Sequence, residues 1–284
     1  MSVEDIILDH DKRGVSHLRP FLAADFCDDA ARLIASTSGP AMIVTGFYIM
    51  GAELPETDGP PGALAIGRAL QAMGRSVVYV TDNVTYAVMH GLAGDEAEIV
   101  DFPITDDQAS REYASQLLGR VNPGVVIAIE RCSLTADGAY LNMRGRDISQ
   151  WNARVDHLFT DHPATVGIGD GGNEIGMGNL IKEIPGVETL PDNPAATTAS
   201  KLIICSVSNW GGYGLAASLS KLAGRNLLPT LEQEADLLRR TVDLGSVDGF
   251  SAEARYYVDG FSLEENGELL GRLHRLLAEE GIGG

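Results

Sequence analysis

Five short runs of apolar residues recur along this chain, and each stops at an acidic or glycine-rich turn. They are 41–45 (AMIVT), 76–80 (SVVYV), 125–129 (VVIAI), 166–168 (VGI) and 201–205 (KLIIC). Runs this short and this uniformly apolar suit strands buried on both faces, as in a parallel sheet. A weaker run, 97–100 (AEIV), adds a sixth strand. Between the runs lie segments with apolar residues at helical spacing: 20–35, 62–73, 84–92 and 107–118, and later 149–159, 231–244 and 263–277. Strand, acid-tipped loop and helix in repetition predict an α/β fold, with a mostly parallel sheet flanked by helices in a Rossmann-like three-layer architecture. No linker divides the chain, so residues 1–284 read as a single α/β domain, with a core about residues 41–223 and terminal helices packed on it.

In such sheets the carboxyl ends of the strands lie along one edge, where ligands bind. The acids fall there. Glu56 and Asp58 follow the first strand, Asp82 the second and Glu130 the fourth; Asp170 and Glu174 follow the strand at 166–168. Convergent carboxylates repel unless a cation sits among them, and hard divalent ions take oxygen ligands. Glu56, Asp58, Glu130, Asp170 and Glu174 are therefore the candidate ligands of a magnesium or manganese ion. Arg131 and Arg144, with Asn142 close by, are candidates to grip a substrate carboxylate, and Arg146 stands beside them.

Two glycine-rich stretches frame the site. The stretch 165–180 (TVGIGDGGNEIGMGNL) holds six glycines, a density that lets backbone bend sharply and a ligand approach closely. It fits the dinucleotide fingerprint only in part and lacks the Lys-Ser or Lys-Thr of a phosphate loop. The spacing predicts a turn over 170–173, then a weak, glycine-interrupted helix. The second stretch, 206–214 (SVSNWGGYG), predicts another glycine turn before a helix reaching residue 222. Gly171, Gly172, Asn173, Ser208, Asn209 and Tyr213 are the substrate-binding candidates these stretches supply.

Composition excludes several classes. Forty acids against 21 bases give a net charge of −19, which disfavours nucleic acid and anionic membrane as partners. Three scattered cysteines offer no disulfide framework. No HExxH or GxSxG is present, so neither a zinc hydrolase nor a serine esterase is indicated. The acidic N-terminal stretch has no apolar signal region, which predicts a cytoplasmic protein. The expected partner is a small acidic amino acid; a homo-oligomer stays open.

Four segments together resemble the D-glutamate cyclase domain family: 56–62 (ETDGPPG), 128–131 (AIER) with 142–144 (NMR), 167–178 (GIGDGGNEIGMG) and 206–213 (SVSNWGGY). The resemblance implies a lyase that interconverts D-glutamate and 5-oxo-D-proline with loss of water, aided by a divalent cation. In that reaction Asp170 would help hold the cation, and Glu174, with Glu130 as second choice, would carry protons. An acidic metal site beside glycine turns also suits phosphoryl hydrolysis or simple binding of an anionic metabolite.

Overall fold

A computed structural model describes residues 1–283. Its central sheet has six parallel strands: β1 (Ala41–Thr45), β2 (Val77–Thr81), β3 (Glu98–Asp101), β4 (Val125–Ile129), β5 (Thr165–Gly169) and β6 (Lys201–Ile204). Their order across the sheet is β3-β2-β1-β4-β5-β6. Ala41 pairs with Val77 on one side and Val125 on the other, so the chain reverses its direction of travel between β1 and β4. That reversal opens a crevice at the carboxyl ends of these two strands. Thr45 and Ile129 are paired at its edge, and Glu130 is the next residue.

The alternation along each strand sorts the core into two layers. Ile43, Tyr79, Ile127 and Ile168 face one way, and Met42, Val44, Val80 and Val126 face the other. The first face is covered by α1 (Val3–Ile7), α2 (Phe26–Ser36), α3 (Pro60–Ala72), α4 (Asn83–Ala93), and three helices named below. The second is covered by α5 (Asp107–Val121) and the short α6 (His157–Thr160). The remaining helices are α7 (Ser208–Ala223), α8 (Leu231–Asp243) and α9 (Leu263–Glu279). Thr230 and Ser262 begin α8 and α9 with capping boxes, each closed by the Gln or Glu three residues on. Helix α7 is buried from Ser208 to Ser220, an all-round burial that fits its weakly amphipathic sequence.

Four local expectations are corrected. Residues 20–35 do not form one helix: a 3₁₀ segment, Val15–Phe21, precedes α2, because Pro20 and the exposed 23–25 stretch interrupt the pattern. Residues 149–159 do not form one helix: a 3₁₀ turn at Ser149–Trp151 is separated from α6 by an irregular stretch, 152–156. The weak helix expected after residue 173 is absent; only a 3₁₀ turn at Gly178–Leu180 forms, since Gly172 and Gly176 adopt positive φ. Finally, Gly211 and Gly212 are not a turn. They lie inside α7, where their missing Cβ atoms admit Cys205 and Ile168 on one side and Gly62 of α3 on the other. Helix contact, rather than chain reversal, explains that glycine pair. Among the described residues no helix is long and apolar enough to cross a membrane.

Candidate active site

The crevice at the β1–β4 reversal holds six buried carboxyl groups: Glu56, Asp58, Glu130, Asp170, Glu174 and Asp259. Different elements deliver them. Glu56 and Asp58 come from the loop before α3, Glu130 from the end of β4, and Asp170 and Glu174 from the loop after β5. Asp259 comes from the turn before α9. Glu130 and Asp259 both take left-handed backbone, with φ of 43° and 52°. A side chain in that region is strained, and the surrounding packing must hold it there.

Each acid has a distinct set of partners. Asp58 accepts from the backbone N–H groups of Ser208 (2.8 Å) and Asn209 (2.7 Å), so it caps the first turn of α7. Asn209 returns the contact, its Oδ1 accepting from the N–H groups of Gly59 and Gly62. Glu130 accepts from the Ser208 hydroxyl at 2.6 Å, and its carboxyl neighbours that of Glu56 in the cleft lining. Glu174 folds back onto its own loop: Oε1 accepts from the N–H groups of Gly171 (2.7 Å) and Asp170 (3.3 Å), and Oε2 from that of Gly172 (2.8 Å). The N–H groups of Gly171 and Gly172 therefore serve Glu174 rather than a ligand. Asp170 and Asp259 meet the Arg13 guanidinium, whose Nη1 lies 2.5 Å from Asp170 Oδ2 and 2.7 Å from Asp259 Oδ2.

Six acids against one directly paired guanidinium cannot all stay ionised in a buried crevice. Burial pushes the Glu130 carboxyl far above its usual range, and neighbouring Asp170 and Glu56 push it further. Burial also raises Glu56, with Asp259 and Asp58 adding to it. Asp170 rises by burial despite the opposing pull of Arg13. Asp58 is pushed up to about 7 by burial and Asp259, against its two backbone donors on α7. Two triads bring ligand atoms within 4.8 Å of one another: Asp58, Asp170 and Asp259, and Glu130, Asp170 and Glu174. Asp259 Oδ1 is buried with no hydrogen-bond donor. An all-oxygen donor set with surplus negative charge suits a hard divalent cation.

The acids Glu56, Glu130, Asp170 and Glu174 open onto a cleft of about 330 Å³. Its walls are Phe47, Tyr48, Met143 and Phe250, and Asn173 also lines it. Exposed Arg144 and Arg146 stand on its rim beside Asn142, whose Oδ1 accepts from the backbone N–H groups of both and shapes their turn.

Besides Gly171 and Gly172, four expected substrate contacts do not line the cleft: Ser208 and Asn209 are fully buried and hold Glu130, Asp58 and the start of α3, and Arg131 and Tyr213 lie elsewhere. Arg131 is 1% exposed and bound elsewhere: it pairs with Asp82 at 2.6 Å and donates to the carbonyls of Gly46 and Ala153. It ties β1, β2 and β4 together from beneath the site. Asp82 therefore belongs to that internal pair rather than to the acid cluster. Tyr213 lies in a second cavity, lined also by Arg68, Arg225, Gln233, Glu234 and Arg240, where its hydroxyl faces the Glu234 carboxyl. Cys132 is fully buried and its thiol is pushed well up by burial, which removes it as a nucleophile. The sequence reading missed Arg13 and Asp259. Both sit in glycine-containing turns (Arg13-Gly14, Asp259-Gly260), a local signal for a bend but not for a site.

Residues 3–274 match the family model described as D-glutamate cyclase-like, C-terminal. This chain belongs to that family. The match runs from the start of α1 into α9, and so includes Arg13 and every carboxyl of the cluster. A curated human relative, the mitochondrial D-glutamate cyclase, is 32% identical over 234 residues. The shared region covers 75% of this chain and 37% of the human protein, so the chain corresponds to little more than a third of that relative. In this D-glutamate cyclase-like chain, the acid cluster and its cleft form the candidate active site.

Proposed function

We propose that this protein interconverts D-glutamate and 5-oxo-D-proline, with water as the second product of ring closure. The observation that supports this best is the pair of buried carboxyl groups, Glu56 and Glu130, side by side in the lining of an arginine-rimmed cleft. Ring closure joins the substrate amine to its own γ-carboxyl, and two protons of the ammonium group leave nitrogen and depart on the released oxygen as water. No net proton is consumed, so the site needs groups that accept and return protons. A carboxyl pair with raised affinity for protons meets that need, because one member can take a proton while the other gives one.

Glu174 was the first choice as proton carrier from sequence. Its two oxygens are already engaged by three backbone N–H groups, which favours Glu130 in that role and Glu174 as a fixed ligand. Arg144 and Arg146 would receive the α-carboxylate at the rim, and the apolar walls would hold the chain folded. Holding amine and γ-carboxyl together makes the attack effectively unimolecular. Glu130, Asp170 and Glu174 would hold a magnesium or manganese ion, which supplies polarisation of the carboxyl under attack and offsets developing negative charge.

The assay follows D-glutamate and 5-oxo-D-proline by chiral chromatography, with and without manganese. Glu130→Gln should lower kcat by roughly a hundredfold or more, with KM within a few-fold. Absence of interconversion in either direction by folded, manganese-loaded protein would refute the cyclase reading. Phosphate release from p-nitrophenyl phosphate in the same preparation would move the site to phosphoryl chemistry.

A further inference from the structure

We propose that Arg13 is a built-in cation, filling one of two cation seats that share Asp170 and leaving the Glu130–Asp170–Glu174 seat as the single exchangeable one. The proposal rests on the divalent-ion reading above and adds how many ions the site takes and why.

The geometry starts from Asp170, the residue common to both triads. On one side, a single nitrogen of Arg13 lies at 2.5 Å and 2.7 Å from oxygens of Asp170 and Asp259. An arginine gripping a carboxylate usually presents two nitrogens to two oxygens of one group. Here one nitrogen bridges two carboxyl groups, which is how a point cation is used. Asp58, the third member of that triad, is already held by the N–H groups of Gly59, Ser208 and Asn209. On the other side, Glu130, Asp170 and Glu174 have no basic side chain in direct ion pair among the described residues, apart from that same Arg13 contact to Asp170.

The local structure makes Arg13 a fixture. Asp11 accepts from the backbone N–H groups of Arg13, Gly14 and Ser16, closing a tight turn. The Arg13 carbonyl accepts from the Thr189 hydroxyl at 2.5 Å. Lys12 next to it donates to the carbonyls of Asp259 and Gly260 and lies 3.4 Å over the Phe261 ring. The 11–13 segment therefore grips the Asp259 turn by backbone and side chain together. The guanidinium arrives with the fold, whereas a metal ion must be bound from solution. Without that fixed charge, Asp170 and Asp259 would be two buried carboxylates with no cation, an arrangement strongly disfavoured in a low-dielectric crevice.

The experiment titrates chelator-treated protein with manganese chloride, by calorimetry and by electron paramagnetic resonance of the free ion. Wild type should bind one ion per chain. Arg13→Met removes the charge and keeps the reach; it should bind a second ion, or bind one at least tenfold more tightly. Arg13→Lys keeps a cation and should stay at one ion, within threefold of wild type. In thermal melts without metal, Arg13→Met should melt below wild type and recover more on adding manganese. Asp259→Asn, which leaves Arg13 in place, should keep the wild-type ion within threefold. Two ions on wild type, unchanged stoichiometry and affinity in folded Arg13→Met, or tenfold weakening in Asp259→Asn would each overturn the proposal. No ion on wild type would remove the divalent reading itself. Arg13→Met then decides alone, by binding one ion if the guanidinium fills a seat and none if it does not.

Discussion

Replacing Gly212 by alanine should dismantle the site without touching a single carboxyl group. A Cβ on Gly212 would lie 2.9 Å from Gly62 Cα and 3.0 Å from Gly62 O, both backbone atoms of α3. Carbon atoms pack best at about 3.5–4.0 Å, so α3 and α7 must separate by roughly half an ångström to one ångström. No rotamer change can relieve a clash with backbone. The same two helices carry the bonds from Gly59 and Gly62 to Asn209, and from Ser208 and Asn209 to Asp58, all between 2.7 and 3.0 Å. Overpacking of this kind costs about 1–3 kcal/mol, and stretched hydrogen bonds add about 1 kcal/mol, against a helix-propensity gain of about 1 kcal/mol for alanine over glycine. The net loss of about 1–3 kcal/mol lowers Tm by roughly 2–5 °C in a chain of this size. Gly119 of α5 is the control, since a Cβ there meets nothing within 4 Å. Gly119→Ala makes the same chemical change and should raise stability by up to about 1 kcal/mol. The assay is thermal unfolding by circular dichroism, paired with kcat on D-glutamate, which should fall at least tenfold in Gly212→Ala alone. Two glycine variants whose melting points move in the same direction would show that the close α3–α7 approach does not limit stability.

Glu234 supplies a pH test. Burial pushes its carboxyl from the usual 4.5 to about 8, against the opposing Tyr213 hydroxyl. Between those values the unfolded chain releases a proton that the native protein keeps, so this group's contribution is full below pH 4.5 and is lost as pH rises through 8, by roughly 3–5 kcal/mol in all. Glu234→Gln should flatten that slope, and its advantage over wild type in thermal melts should widen from pH 5 to pH 8; parallel curves would count against a neutral buried carboxyl. Arg131→Met should cost about 3–5 kcal/mol by stranding buried Asp82, with KM for D-glutamate unchanged in the folded fraction. A raised KM with an unchanged melt would instead return Arg131 to the substrate.

The sequence by itself determined the layers and the edge. Runs such as 125–129 can be buried on both faces only in a covered parallel sheet, so both the strands and the acids that end them were legible. Glu56, Asp58, Glu130, Asp170 and Glu174 converge because each follows a strand, and strand ends in such a sheet lie together. The tertiary structure decided what each acid and each glycine does. Local pattern cannot separate a glycine that turns the chain from one that admits a neighbouring helix, and Gly211-Gly212 is the second kind. Nor can it separate Arg131, inside a charged pair beneath the sheet's edge, from Arg144 on the cleft rim, because both lie after β4 and differ only in burial. Arg13 and Asp259 stand 246 residues apart, and nothing local to either marks a partner at that distance. Their meeting is fixed by the packing of the two chain ends against the same helices, and a long-range contact of that kind leaves no periodicity in the sequence to read.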